Sequence, residues 1–196
     1  GGAAAEAINE ANVGIVDYTR IRNMYAQSRR TAESLACIFA TQFRISISTA
    51  RAFTFLGPYQ SIDAPWAINN FIRDAVTGNE IRIRGDGSTQ RSYLYGSDVA
   101  VWVLRIAVSG KNGDIYNIGG DEVISHSDVA KKIVELSGKK SDIYFTGKST
   151  VNDRKQDFFP DLSFGKNSLN LGQAFNINIS LERSIQWHMK NLNSHR

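Results

Sequence analysis

Segments with the period of a helix and segments with the period of a strand take turns along this chain, and that alternation narrows its fold more than any other feature. Residues 25–42 carry an apolar stripe at helical spacing, Leu35, Ile38 and Phe39 with Ala32, Ala36 and Ala40. In residues 44–55, Ile45, Ile47 and Thr49 alternate with Arg44, Ser46 and Ser48, the period of a strand, which Gly57-Pro58 ends. A second helix is predicted over 65–77, with Pro65 in its first turn and Gly78 just past its end. Ile81-Arg82-Ile83-Arg84 alternates as a short strand, Gly85-Asp86-Gly87-Ser88 is a turn, and 91–95 is extended. Ser97 or Asp98 is predicted to cap a helix reaching Val108, and 114–118 to form a strand closed by Gly119-Gly120. Ser125-His126-Ser127-Asp128 reads as the cap of a helix that Gly138 stops. Residues 143–145 are strand-like, 147–170 mostly irregular, and Ser180 is predicted to cap a last helix through Trp187. Strands and helices alternating at these lengths predict an α/β fold. The strands are too few for a complete doubly wound sheet.

At 196 residues, 42% hydrophobic and 21% charged, the chain is long enough for one domain with a real core. Its one cysteine, Cys37, excludes an internal disulfide, and the Ala/Leu/Phe surroundings predict a small buried side chain. No apolar run approaches the roughly 20 residues that span a bilayer. The opening Gly-Gly-Ala-Ala-Ala-Glu lacks the basic region and long apolar core of a secretory signal, so a cytoplasmic protein is expected. The net charge of +4, from 23 basic and 19 acidic residues, suits an anionic ligand such as a diphosphate. It is too small and too scattered to argue for nucleic acid. His126, His188 and His195 show no metal-ligand spacing, and no metal is expected.

Two kinds of residue carry chemistry. Met24-Tyr25-Ala26-Gln27-Ser28-Arg29-Arg30 places a tyrosine and a cation four residues apart, one turn from each other on a single helix face. A phenol titrates near about pH 10, so it serves as a base at neutrality only where nearby positive charge stabilises its phenolate. Arginine offers a planar fork matched to phosphate oxygens, which makes Arg91 and Arg154 the best diphosphate candidates. Taken singly, each has a plainer reading: a surface Tyr–Arg pair, and an arginine in an ordinary ion pair such as Arg91 with Asp86 or Asp98.

Taken in order, the motifs resemble the extended short-chain dehydrogenases that act on nucleotide sugars, the NAD-dependent epimerase/dehydratase family. Tyr25, Arg29 and Glu33 stand where that family has Tyr-x-x-x-Lys-x-x-x-Glu. Arg51-Ala52-Phe53-Thr54-Phe55-Leu56-Gly57-Pro58 resembles its Arg-x-x-Asn-x-Tyr-Gly-Pro strand end. Gly85-Asp86-Gly87-Ser88-Thr89-Gln90-Arg91-Ser92-Tyr93-Leu94-Tyr95 is similar to its Gly-Asp-Gly turn, and Tyr116-Asn117-Ile118-Gly119-Gly120 follows in register. Arg154, Pro160-Asp161, Leu171-Gly172 and the helix ending in Trp187 are similar to its closing segments.

The resemblance implies a partial Rossmann-type parallel sheet with a smaller C-terminal substrate-binding domain. Residues 1–57 and 96–118 would belong to the Rossmann part, and 58–95 with 119–196 to the substrate part. It makes Tyr25 the catalytic base and Arg29 its cationic partner, both also against NAD or NADP together with Phe53. It places Thr54, Arg84, Arg91 and Arg154 on a nucleotide-diphosphate sugar. It also implies a homo-oligomer. Asn69 and Asn70 are expected on solvated surface.

Departures from the family bound the reading. Arginine replaces lysine at Arg29, a bulkier group that stays charged and relays protons poorly. Thr54 replaces an asparagine and offers fewer hydrogen bonds than an amide. The 24 residues before Tyr25 contain no Gly-x-x-Gly-x-x-Gly loop, so no dinucleotide cradle is found and cofactor binding to this chain is not expected. The chain therefore reads as the back end of an enzyme of roughly 300 residues or more, the size of a Rossmann half plus this part. The alternative is a non-catalytic module that binds a nucleotide sugar or a partner and lacks a cofactor site.

Overall fold

The computed structural model describes residues 6–12, 14, 17–147 and 157–194. Helix α1 runs over Met24–Phe43, followed by strands β1 (Thr49–Ala52) and β2 (Phe55–Leu56) and helix α2 (Ala67–Thr77). Strands β3 (Ile81–Ile83), β4 (Gln90–Ser92) and β5 (Leu94–Tyr95) lead into helix α3 (Gly96–Ser109). Strands β6 (Ile115–Ile118) and β7 (Val123–Ser125), helix α4 (His126–Ser137), strand β8 (Ile143–Phe145) and helices α5 (Ser163–Leu169) and α6 (Ile177–Ser194) complete the order. The fold is α/β with mainly parallel pairing, as the alternation predicts.

Strand β1 pairs with β6 in parallel, Thr49 opposite Ile115 and Ala52 opposite Ile118, and α3 lies on the path between them. The pairs β2–β5 and β3–β8 are also parallel, whereas β4–β7 is antiparallel, with Arg91 opposite Ile124. Strand β1 is shorter than the alternation over 44–55 predicts. Ile47 is the reason: its N–H donates to Asn112 Oδ1 and its carbonyl accepts from Gly113, so a loop takes the hydrogen bonds a strand would need.

Two apolar clusters hold the chain. In the larger, α2 contributes Ile68, Phe71, Ile72, Ala75 and Val76, one face at helical spacing, against Ile81 and Ile83 of β3. Val129, Ala130 and Ile133 of α4 and Ile177, Leu181 and Ile185 of α6 close it. In the smaller, Trp102 and Ile106 of α3 pack with Tyr116 and Ile118 of β6 and with Leu162, Leu169 and Leu171. The Trp102 indole donates to Gly172 O at 3.0 Å, which fastens the segment after α5 to α3.

Helix α1 buries none of its side chains. Its stripe of Leu35, Ile38, Phe39 and Phe43 is exposed, and so is Cys37, which corrects the expectation of a buried thiol. No described element covers the face that carries Leu35, Ile38, Phe39 and Phe43.

Local signals succeed where the side chain has no distant competitor. Ser125 caps α4, its Oγ accepting from Asp128 N at 3.0 Å, and Gly138 ends that helix at φ 64°. Gly78 ends α2 at φ 75°. Ser97 and Asp98 do not cap α3, which starts at Gly96 after Tyr95. The buried Asp98 carboxylate instead accepts from Ala174 N and Phe175 N at 3.1 and 3.2 Å. Ser180 lies inside α6, and it is Asn176 Oδ1 that accepts from Ile179 N at 3.0 Å. Asn69 is buried rather than solvated and donates to Ser61 O at 2.8 Å. Helix α5 occupies part of the stretch read as irregular. Among the described residues no helix is long and apolar enough to cross a membrane, and no group of three potential metal ligands forms.

Candidate functional site

Tyr25, Arg29 and Glu33 follow one another at four-residue spacing along one side of α1. Glu33 takes two hydrogen bonds from Arg51 of β1, Nε to Oε1 and Nη2 to Oε2, both 2.8 Å. The Arg51 fork holds the Glu33 carboxyl below its ordinary range, and Glu33 in turn raises the guanidinium. Arg51 Nη1 also donates to Glu10 O at 2.6 Å, while Glu10 Oε1 accepts from Asn117 N of β6 at 3.0 Å. Asn117 Nδ2 reaches Ile8 O and Asp161 O at 2.8 and 3.1 Å. One polar chain thus ties α1 to the β1–β6 pair and to two segments far away in sequence.

One turn before that anchor, the Arg29 guanidinium carbon lies 5.0 Å from the centroid of the Tyr25 ring. A cation over the ring face steadies it by about 0.5–1 kcal/mol at an exposed site. The Tyr25 side chain is 63% exposed. The pair offers a phenol hydroxyl and a fixed positive charge on one accessible helix face.

A second cluster forms where β1 and β4 end. Phe53 follows β1, its N–H donating to Ile118 O at 2.8 Å, and its ring stacks on Phe158 with centroids 4.4 Å apart. The Arg91 guanidinium carbon stands 5.8 Å from the centroid of Phe158. Arg91 is half-buried, and burial lowers its pKa while Tyr93 and Asp157 favour the charged form. Its Nη1 donates to Gln90 O at 2.8 Å. Asp157 Oδ1 accepts from Gln90 N at 2.8 Å and Phe158 N donates to Gln90 O at 3.1 Å, so residues 157–158 lie along β4.

His126 sits beside this cluster with its ring edge-on to Phe71. Burial first, and the Arg91 charge second, push its pKa down to about 4. The imidazole is neutral at pH 7 and adds no second charge beside Arg91.

The structure therefore brings Phe53 and Arg91 together through Phe158, and pairs Tyr25 with Arg29. Thr54 lies next to Phe53, its carbonyl accepting from Leu94 N at 3.1 Å where β2 and β5 begin to pair. Arg84 does not join them: it is exposed just past β3 and makes no hydrogen bond or ion pair among the described residues. Arg154 lies outside the described residues. Sequence reasoning missed Asp157, Phe158 and Glu10. No local pattern marks them, because their partners are 41 to 107 residues away.

The profile described as the NAD dependent epimerase/dehydratase family matches residues 2–119. A trifunctional UDP-glucose 4,6-dehydratase/UDP-4-keto-6-deoxy-D-glucose 3,5-epimerase/UDP-4-keto-L-rhamnose-reductase of Arabidopsis thaliana is 31% identical over 171 residues, 86% of this chain and 25% of that protein. UDP-glucuronic acid decarboxylase 3 of the same plant is 30% identical over 160 residues, 82% of this chain and 46% of its own. The solved UDP-glucuronic acid 4-epimerase of Bacillus cereus in complex with UDP-glucuronic acid and NAD superposes with a TM-score of 0.81 at 25% identity. That match covers 97% of this chain and 58% of the solved one. The chain spans less than half the length of these curated relatives.

Proposed function

This chain belongs to the NAD-dependent epimerase/dehydratase family, and we propose that it is the substrate-binding and partly catalytic portion of an NAD(P)-dependent nucleotide-sugar epimerase or dehydratase. The observation that carries the reading is the Tyr25–Arg29 pair, held on a helix that the Glu33–Arg51 bridge locks to the β1–β6 strands. Tyr25 Oη takes the proton of a sugar hydroxyl, and Arg29 holds positive charge beside the phenolate that results. A bound nicotinamide supplies the hydride acceptor. Tyr25, Arg29 and Phe53 are the residues of this chain that would face it: an exposed hydroxyl and guanidinium fit a ribose, and the Phe53 ring fits an apolar ring face.

On the substrate side, Arg91 takes the diphosphate, with Phe158 beneath its guanidinium, and Thr54 lies next to Phe53 within the same cluster. Arg84 and Arg154 remain assigned to the nucleotide sugar from the family pattern alone. Residues 1–57 with 96–118 form the cofactor-side part, and 58–95 with 119–196 the substrate part. In support, apart from Leu56 the larger apolar cluster draws only on residues 62–95 and 124–192. Leu162, Leu169 and Leu171 cross that division to pack on α3 and β6.

Tyr25 at 63% exposure also favours a second reading, in which these residues alone bind a nucleotide sugar without turning it over. Proton and hydride transfer need a site closed to water. Calorimetric titration of the chain tests both readings. UDP-glucuronic acid should bind and NAD should not, because the described residues provide no run of backbone N–H groups to cradle a dinucleotide pyrophosphate. Micromolar NAD affinity would show a cofactor site elsewhere in the chain, and absence of UDP-sugar binding would remove the substrate side.

The exposed stripe on α1 is joined by a second on α3, where Val101, Leu104 and Val108 recur at helical spacing. Apolar faces of this size are covered by association. The chain is expected to run as a dimer or higher oligomer in multi-angle light scattering. Replacing Ile38 and Phe39 by serine should shift it toward monomer, and a monomeric wild type would count against α1 as a contact helix.

A further inference from the structure

A cleft of about 330 Å³ opens between the loop after β2 and helix α6, lined by Tyr59, Gln60 and Ser61 on one side and Trp187, His188 and Asn191 on the other. None of the residues assigned to the nucleotide sugar or the nicotinamide lines it. It is a shallow, open cleft, of a kind that would hold one face of a small ligand rather than enclose it.

Three features of its lining go together. First, Tyr59 holds φ at 68°, a left-handed conformation that a bulky side chain rarely adopts, and the residue is 86% exposed. Backbone outliers of this kind gather where ligands are held. Second, the Tyr59 ring meets Trp187 at 5.1 Å between centroids, tilted by 55°, and both residues line the cleft. Third, His188 is 5% exposed but is not among the residues with a fully buried, unpartnered polar atom, so its ring nitrogens keep access to the cleft or to solvent; burial shifts its pKa downward. An imidazole with an accessible nitrogen can take a hydrogen bond from, or give one to, a ligand hydroxyl.

The remaining polar groups are uncharged and partly spoken for. The Asn191 amide donates to Trp187 O at 2.8 Å and leaves its Oδ1 as an acceptor. Gln60 Nε2 donates to Phe55 O at 3.3 Å and leaves its Oε1. Among the described residues no Asp, Glu, Lys or Arg lines the cleft. Such a lining has nothing to pair with an ionised ligand, whose desolvation would go uncompensated. What it matches is a ring with apolar C–H faces and a rim of hydroxyls: the faces lie on Tyr59 and Trp187, and the hydroxyls reach His188, Asn191 and Gln60.

We propose that this cleft is a second ligand site, separate from the nucleotide-sugar cluster, which takes an uncharged pyranose ring. The test is an NMR titration of the full chain with methyl β-D-glucopyranoside, following the His188 imidazole and the Trp187 indole. Both signals should shift saturably with a midpoint of about 1–10 mM, the affinity of a few neutral hydrogen bonds and one stacked ring. Tyr59→Gly should weaken binding at least about tenfold with the thermal midpoint kept or raised, because glycine suits the left-handed backbone. Sodium glucuronate should bind more weakly than the neutral glycoside, and UDP should leave both signals in place. Failure to saturate by about 100 mM, far above the affinity range argued, overturns the site. Unchanged affinity in Tyr59→Gly, or equal binding of glucuronate, also overturns it. Shifts caused by UDP would assign the cleft to the nucleotide-sugar site instead, whatever the outcome there.

Discussion

Tyr25→Phe should abolish turnover of a nucleotide sugar by the full-length protein while leaving its binding within about twofold. Positioned general bases contribute roughly 10²–10⁴ in rate, and the loss should fall in that range. The substitution isolates the hydroxyl, because phenylalanine keeps the ring that Arg29 lies over at 5.0 Å and so keeps the local packing of α1. The fall should be equal in kcat and kcat/KM, the pattern of an interaction made only in the transition state. Arg29→Lys separates charge from shape: a point charge replaces a planar one, and activity should be kept or raised. Retention of more than a tenth of wild-type turnover in Tyr25→Phe would assign the base to another residue.

Gly120→Ala should cost the fold about 3 kcal/mol or more, through overpacking against backbone that no rotamer change relieves. A Cβ at Gly120 would lie 2.3 Å from Tyr93 O, 2.6 Å from its carbonyl carbon and 2.8 Å from its N. Either the approach to β5 or the turn after β6 must move, and with it the residues that carry Arg91 and Asn117. For a chain of this size the loss corresponds to a fall of roughly 6–12 °C in thermal midpoint. Gly172→Ala is the control, since nothing lies within 4 Å of its added Cβ. A Gly120→Ala midpoint within a degree or two of wild type would mean that the Tyr93 crossing is looser than described.

The contrast between those two glycines shows what a sequence reveals. Gly119-Gly120 was legible as the end of a strand, because turn-forming residues act locally; that Tyr93 crosses there is a contact over 27 residues and leaves no local mark. The same division runs through the helices. The buried face of α2 could be read from Ile68, Phe71, Ile72, Ala75 and Val76, whose spacing is itself the signal. The stripe on α1 is equally clear, but periodicity says only that a face is apolar and not what covers it, and Leu35 and Phe39 are exposed. Asp98 and Ser180 had the chemistry of caps and were drawn to other work, Asp98 to the backbone of residues 174–175 and Ser180 to Asn176 O.

At the candidate site the Tyr25–Arg29 pairing followed from four-residue spacing, and the parallel β1–β6 pair from the family pattern. Phe158 did not, since its partners Phe53 and Arg91 are distant in the chain and its own segment has no periodicity.

The central claim is that this chain grips the diphosphate of a nucleotide sugar, and the most direct measurement is the affinity for UDP of wild type, Arg91→Ala and Arg91→Lys by calorimetry. Loss of the charge-assisted contact should weaken binding by about 1.5–3 kcal/mol in Arg91→Ala, roughly ten- to 150-fold. Arg91→Lys should recover only part of it, because an ammonium cannot make the two-pronged contact. Equal affinities in all three proteins would make Arg91 a structural arginine over Phe158 and contradict the account.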